Sequence, residues 1–205
     1  MSPVYKFSNA GGFTSKQRYT SMLADNTRFV LASFESIATV TVGSGGSSEI
    51  NFTSIPATFT HLQVRIIART ASVATSDGLL MRVGTSGSID TTSTLWGHNL
   101  MGNGSSATSG SRSSTNIELV QTTAASSTSG IFGVAVIDIL DYANTNKAKT
   151  FRSLTGHDQN GSGQIRLMSG SYGANTNAIT DLRFFSAFSN VAQYSQFALY
   201  GIRSI

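Results

Sequence analysis

Any metal or acid–base centre in this 205-residue chain would draw on three histidines, ten carboxylates and no cysteine. The missing cysteines remove thiolate metal sites, thiol nucleophiles and disulfide staples. His61, His98 and His157 stand far apart, and none has the close spacing, such as His-x-x-x-His on one helix face, with which a local segment holds a metal. Asp158-Gln159-Asn160-Gly161-Ser162 starts like a calcium loop, since alternating oxygen side chains suit a hard cation. Counted from Asp158, Gly163 meets the requirement for glycine at the sixth position, but Ser169 stands where the bidentate glutamate belongs. A turn between two strands accounts for the same residues.

Nucleophilic catalysis finds as little local support. Gly43-Ser44-Gly45 and Gly161-Ser162-Gly163 place a serine between glycines, but neither joins a strand to a helix, the sharp elbow that activates such a serine. Asp138 and Asp141 flank Ile139-Leu140; Asp138 lies inside an apolar run, where a carboxylate needs a hydrogen-bonding partner to offset desolvation. One of them could serve as a glycosidase acid. A hydrogen-bonded buried aspartate or a strand-end turn former explains these residues better. Walker and dinucleotide fingerprints are missing, and the Asn-x-Ser/Thr sites at Asn51, Asn103 and Asn160 are expected by chance in so Ser- and Thr-rich a chain. We therefore expect no enzyme activity and no cofactor.

The elements that would position these groups read as strands. Phe34 onward alternates with period 2. The clearest run sets Leu62, Val64, Ile66 and Ala68 against Gln63, Arg65, Ile67 and Arg69. The first set is expected in the core, with Ile67 on the opposite face packing against a second sheet or an interface. Further strands are predicted at 37–42, 49–52, 79–83, 95–100, 117–121, 131–140, 150–155, 164–172, 179–185 and 196–202. Those at 37–42 and 49–52 flank Gly43–Ser48 and read as a hairpin with a polar tip. The low-complexity tract 102–114 and its weaker echo at 122–130 read as exposed loops. Helical spacing, heptads and fixed-period repeats are absent from the pattern, so helix content should be low and a coiled-coil shaft, solenoid or propeller is disfavoured. The fold class expected is all-β: an antiparallel β-sandwich, jelly-roll-like, over 34–205, with an extended N-terminal arm over 1–33.

Composition bounds the partners. Charged residues make up 12% of the chain, and the pI near 9.6 comes from a net charge of only +4. Nucleic-acid binders gather Lys and Arg in runs or on one face, and no such run exists here, so no nucleic acid is expected. No apolar stretch is long enough to span a membrane. The first residues lack the basic and apolar regions of a signal peptide, so synthesis in the cytoplasm without export is expected. The arm concentrates what charge there is, with Lys6, Lys16, Arg18 and Arg28 against Asp25 alone, among the aromatic residues Tyr5, Phe7, Phe13, Tyr19 and Phe29. Disordered tails are poor in aromatics. Tyr5, Phe7, Phe13, Lys16, Arg18, Tyr19, Arg28 and Phe29 are thus the expected contacts of an arm that orders against a partner. Trp96 and Tyr172, beside polar loops, are the candidate contacts for a ligand such as a sugar.

Three stretches carry a family resemblance. Ser54-Ile55-Pro56-Ala57-Thr58-Phe59-Thr60-His61-Leu62-Gln63-Val64-Arg65, after a Gly/Ser turn, resembles a segment common in tailed-bacteriophage structural proteins. Gly163–Gly170 and the terminal Phe197–Ile202 look like later strands of the same family, and Tyr19–Asn26 is similar to phage virion sequence. The resemblance implies an antiparallel β-sandwich on the particle surface, homo-oligomeric with a trimer among the arrangements, in contact with capsid or tail proteins. A capsid decoration or cement protein, or a short tail-associated knob, fits this description. The rival is a tail-fibre knob that binds a receptor or host-surface glycan, and a glycan hydrolase is the third and weakest reading.

Overall fold

In the computed structural model the described residues are 33–205, with Asn160, Ala174 and Ile205 excepted. The arm residues before Ser33 therefore lie outside the described part. Within it the protein is all-β, and every predicted strand is present: β1 (Phe34–Thr41), β2 (Ile50–Phe52), β3 (His61–Ala68), β4 (Ser76–Thr85), β5 (Ser88–Ile89), β6 (Leu95–Gly102), β7 (Ala107–Ser114), β8 (Ile117–Thr123), β9 (Gly133–Leu140), β10 (Lys149–Asp158), β11 (Gly163–Tyr172), β12 (Ile179–Ser186) and β13 (Gln196–Ile202). An eight-stranded antiparallel sheet has the order β1-β13-β3-β9-β10-β11-β6-β7. The smaller sheet runs β2-β12-β4, and β5 and β8 both pair with β4. The chain passes repeatedly between the two sheets, as jelly rolls do.

Period-2 patterning explains the core. Leu62, Val64, Ile66 and Ala68 are buried as expected and meet Ala135, Ile137 and Ile139 of β9, Phe151 of β10, Met168 of β11 and Phe197 and Leu199 of β13 on the inner face of the larger sheet. Against them pack Phe52, Met81, Val83, Leu119, Leu182 and Phe184 of the smaller sheet. Inward hydroxyls of β10 replace ladder partners for β8: Ser153 Oγ donates to the Leu119 carbonyl at 2.6 Å, and Thr155 Oγ1 donates to the Gln121 carbonyl at 3.0 Å and accepts from its N–H at 3.2 Å. Buried backbone groups rarely go unpaired, and these hydroxyls bond the β8 backbone across the sandwich.

Two sequence readings need correction. The segment Gly43–Ser48 does not close a hairpin, because β1 pairs with β13 and β2 with β12, in different sheets. Its glycines serve a crossing instead. Gly45 and Gly46 have φ of 88° and 76°, and a Cβ on Gly46 would lie 2.7 Å from the Val191 carbonyl. The tract 102–114 is a hairpin rather than a loop: β7 pairs with β6 along its whole length, and the Asn103 carboxamide accepts the N–H groups of Ser105 and Ser106 at the tip. A ladder is built from backbone groups, so Ser and Gly hide a strand whose side chains bury nothing.

Candidate docking face

Cross-strand register fixes what the outer face of the larger sheet presents. One row runs Arg65, Val136, Leu154, Leu167, Leu100 and Ser109. The next runs Ile67, Val134, Gly156, Ile165, Gly102 and Ala107. Ile67, Val134, Leu154, Ile165, Leu167 and Leu100 all keep half or more of their surface exposed. Gly156 and Gly102 lack side chains on either side of Ile165, which leaves two open hollows of about 270 and 280 Å³ that share Leu154 and Ile165 as their common wall. Single exposed apolar residues are ordinary, whereas contiguous apolar patches mark contact surfaces.

A polar row borders the apolar ones: Gln63, Asp138, Arg152, Ser169, His98 and Ser111. Asp138 accepts from Gln63 Nε2 at 3.0 Å and Arg152 Nη2 at 2.9 Å. Burial works against the ionised form, but the bonds from Arg152 and Gln63 prevail and hold this carboxyl below the usual range. A glycosidase acid needs the opposite shift. Beyond the polar row come Leu140, Thr150, Ser171, Trp96 and Ser113. At the far side Arg65 lies 5.0 and 5.3 Å from the ring centroids of Phe34 and Tyr200, which stack 4.7 Å apart.

Of the two ligand candidates, Trp96 stands out at 57% exposure on this face, while Tyr172 points into the core and is fully buried. Its hydroxyl donates to Asp90 Oδ2 at 2.6 Å and accepts from Asn175 Nδ2 at 3.0 Å. Tyr172 is corrected to a structural residue, because Trp96 pairs with Ser171, and the residue after Ser171 must face the other side. The arm contacts Tyr5, Phe7, Phe13, Lys16, Arg18, Tyr19, Arg28 and Phe29 lie outside the described residues.

The histidines do not converge. His61 Nδ1 accepts the Asp141 N–H at 2.9 Å, His98 lies on the polar row, and burial pushes the imidazole of the inward-facing His157 down. No cluster of three His, Asp or Glu arranged to hold a metal occurs among the described residues. Asp158 makes the expected turn, its carboxylate accepting the Gly161 N–H at 2.8 Å. Buried Lys149 gives its ammonium to the carbonyls of Asn144, Lys147 and Thr176, tying together the loops before β10 and β12. Arg69 likewise holds the 124–132 loop through the carbonyls of Ala125, Ser127, Thr128 and Ile131. Neither role shows in sequence, because the carbonyls that Lys149 and Arg69 bond belong to residues of any type.

No family model, curated protein or solved structure matches the chain. The sequence resemblance and the geometry of this face are thus the two grounds for a functional reading. The signal that could have found the face lies in β9, which reads Gly133-Val-Ala-Val-Ile-Asp-Ile-Leu140 with almost no polar alternation, the pattern of a strand covered on both sides.

Proposed function

We propose that this protein is a structural accessory component of a tailed-phage particle, a decoration or cement protein of the capsid or a short tail-associated knob, that acts by surface contact. The observation that carries the reading is the pair of apolar rows across β3, β9, β10, β11 and β6, a sheet face patterned for a cover that the smaller sheet does not supply. The aromatic and basic residues of the arm support anchoring to a neighbouring virion protein, and the resemblance of Ser54–Arg65 to phage structural proteins supports the setting. Localisation in the virion follows from this reading. Particles assembled without the chain should take it up from solution and then adsorb to host cells as before; failure of uptake would overturn the proposal.

One observation favours a second reading. Exposed Trp96 lies beside Ser113 and Ser171, and an aromatic face among hydroxyls suits a sugar ring. In a receptor- or glycan-binding knob the isolated chain would itself bind host cells and compete with whole phage, and Trp96→Ala would abolish that competition.

A further inference from the structure

We infer that the outer face of the eight-stranded sheet is covered by the same face of a second copy of this chain, paired about a two-fold axis near Leu154 and Ile165. This deepens the reading of the face as a docking surface by naming its occupant.

The first argument is area. Eight strands at ~4.8 Å spacing, each about eight residues long at ~3.3 Å per residue, present a face on the order of 900 Å². A two-fold near Leu154 and Ile165, off the centre of the face, overlaps about two thirds of it, on the order of 600 Å², and stable specific interfaces bury roughly 600–1,000 Å² on each partner, so one copy of the sheet is enough. Within that area the two apolar rows run side by side toward one end of the strands, bordered by Gln63, Asp138, Arg152 and Ser169 on one side, by the Asp158–Gly163 pair on the other and by Arg65 at one end, an apolar patch with a polar rim.

The second argument is charge. Neither apolar row carries a charged side chain apart from Arg65, and Arg65 is engaged over Phe34 and Tyr200. On the polar row the Asp138 carboxylate and Arg152 guanidinium neutralise each other at 2.9 Å. A two-fold contact places each surface against itself, which a patch of single-sign charge resists and a neutral one allows.

The third argument is shape. Leu154 and Ile165 form a ridge between the hollows at Gly156 and Gly102. A two-fold axis lying in the plane of the contact and passing between this ridge and one of the hollows sets the ridge of one copy against that hollow of the other. Each apolar knob thereby meets a gap left by a missing side chain, the complementarity that packed interfaces require.

The test uses the full chain. Sedimentation velocity over a concentration series should show a reversible dimer, and Leu154→Asp should weaken it roughly 30-fold or more, the loss expected when a charge replaces a central anchor. Thermal unfolding monitored at low concentration should stay unchanged in that variant, since Leu154 is 52% exposed. The absence of cysteine allows a sharper probe. A short bifunctional thiol reagent should join two copies of Leu154→Cys into a covalent dimer and should not join Val73→Cys, in an exposed loop. A wild-type monomer at ~100 μM, far above the Kd expected for an interface of this size, would overturn the inference. So would undiminished association of the Asp variant, or a dimer or trimer in which the Leu154→Cys variant fails to cross-link. A monomeric Leu154→Cys variant whose new thiol resists a thiol reagent would place another occupant on the face and overturn it too. A chain that pairs but is not taken up by particles would overturn the particle reading alone.

Discussion

Strand β9 gives Ala135, Ile137 and Ile139 to one face of the larger sheet and Val134, Val136 and Leu140 to the other, and the two sets meet different surroundings. The inner set is sealed under the smaller sheet; the outer set is open. The residue types barely differ, so apolar side chains alone do not make a core. Closure comes from the second layer, and that layer exists on one side because the chain returns to the same side at β2, β4, β8 and β12. The contrast separates two uses of hydrophobic surface: inner residues determine folding stability, and outer ones, in the pairing proposed above, serve association.

The widest gap should appear between neighbours on β10. Phe151 is fully buried and Leu154 is half exposed. Phe151→Ala should cost about 3–5 kcal/mol by chemical denaturation, the range for emptying a well-packed aromatic site. Leu154→Ala in the unassociated chain should stay within about 0.5 kcal/mol, as for other surface changes. Equal losses at the two positions would mean that the outer face is closed within the single chain, and the comparison would fail.

Two glycines sharpen the contrast with a single added methyl. A Cβ on Gly170, on the inner face of β11, would lie 2.0 Å from Ile117 Cδ1 and 2.9 Å from the Trp96 carbonyl. Gly170→Ala should therefore cost about 1–3 kcal/mol through overpacking. On Gly102, whose outward direction opens into a hollow, the same methyl would sit 3.9 Å from Ile165, an ordinary contact. Gly102→Ala should leave the melting temperature unchanged and weaken self-association by filling the hollow.

What the sequence made legible follows the same division. The burial of β3 was readable because Gln63 and Arg65 alternate with Leu62, Val64 and Ile66, so propensity, period and burial agree. Strand β7 was not, since nothing in Thr108-Ser109-Gly110-Ser111 is buried and its pairing with β6 rests on backbone bonds. The Gly43–Ser48 segment misled because glycines and serines suit a hairpin and a crossing between sheets alike. Trp96 and Tyr172 share one role as candidate ligand contacts in the sequence because a residue list carries no register; the ladder to β6 decides which of them faces outward. Ile67 was readable as facing away from the core, toward a second sheet or an interface, but its alignment with Val134 and Ile165 requires three strand pairings at once.

Titration distinguishes the faces as well. Burial lowers the pKa of inner-face His157 from the ordinary value of 6.5, so the folded protein resists a proton that the unfolded chain accepts. Stability should then be undiminished above the ordinary value and fall as pH drops below it. His157→Gln should flatten the melting temperature between pH 7.5 and 5; an unflattened profile would remove His157 as the cause.

The smallest effect belongs to Asp138, the charged group beside the outer apolar rows. Its folded pKa lies below 3.8, held there by Arg152 and Gln63 against the opposing influence of burial. The sign is opposite in form to that of His157: the contribution is present above 3.8 and is lost as pH falls through the lower folded value. Because the Arg152 side chain is 65% exposed, water screens the pair, and Asp138→Asn should cost no more than about 1 kcal/mol at neutral pH. Association should respond more than stability, because the substitution leaves Arg152 unneutralised and the two-fold brings a second such charge to the same interface. Dimerisation of Asp138→Asn should therefore weaken at low salt and recover as salt rises, since added ions screen like charges. If Asp138→Asn instead unfolds the chain, the polar row is part of the core's support, and the division of labour between the two faces does not extend to its border.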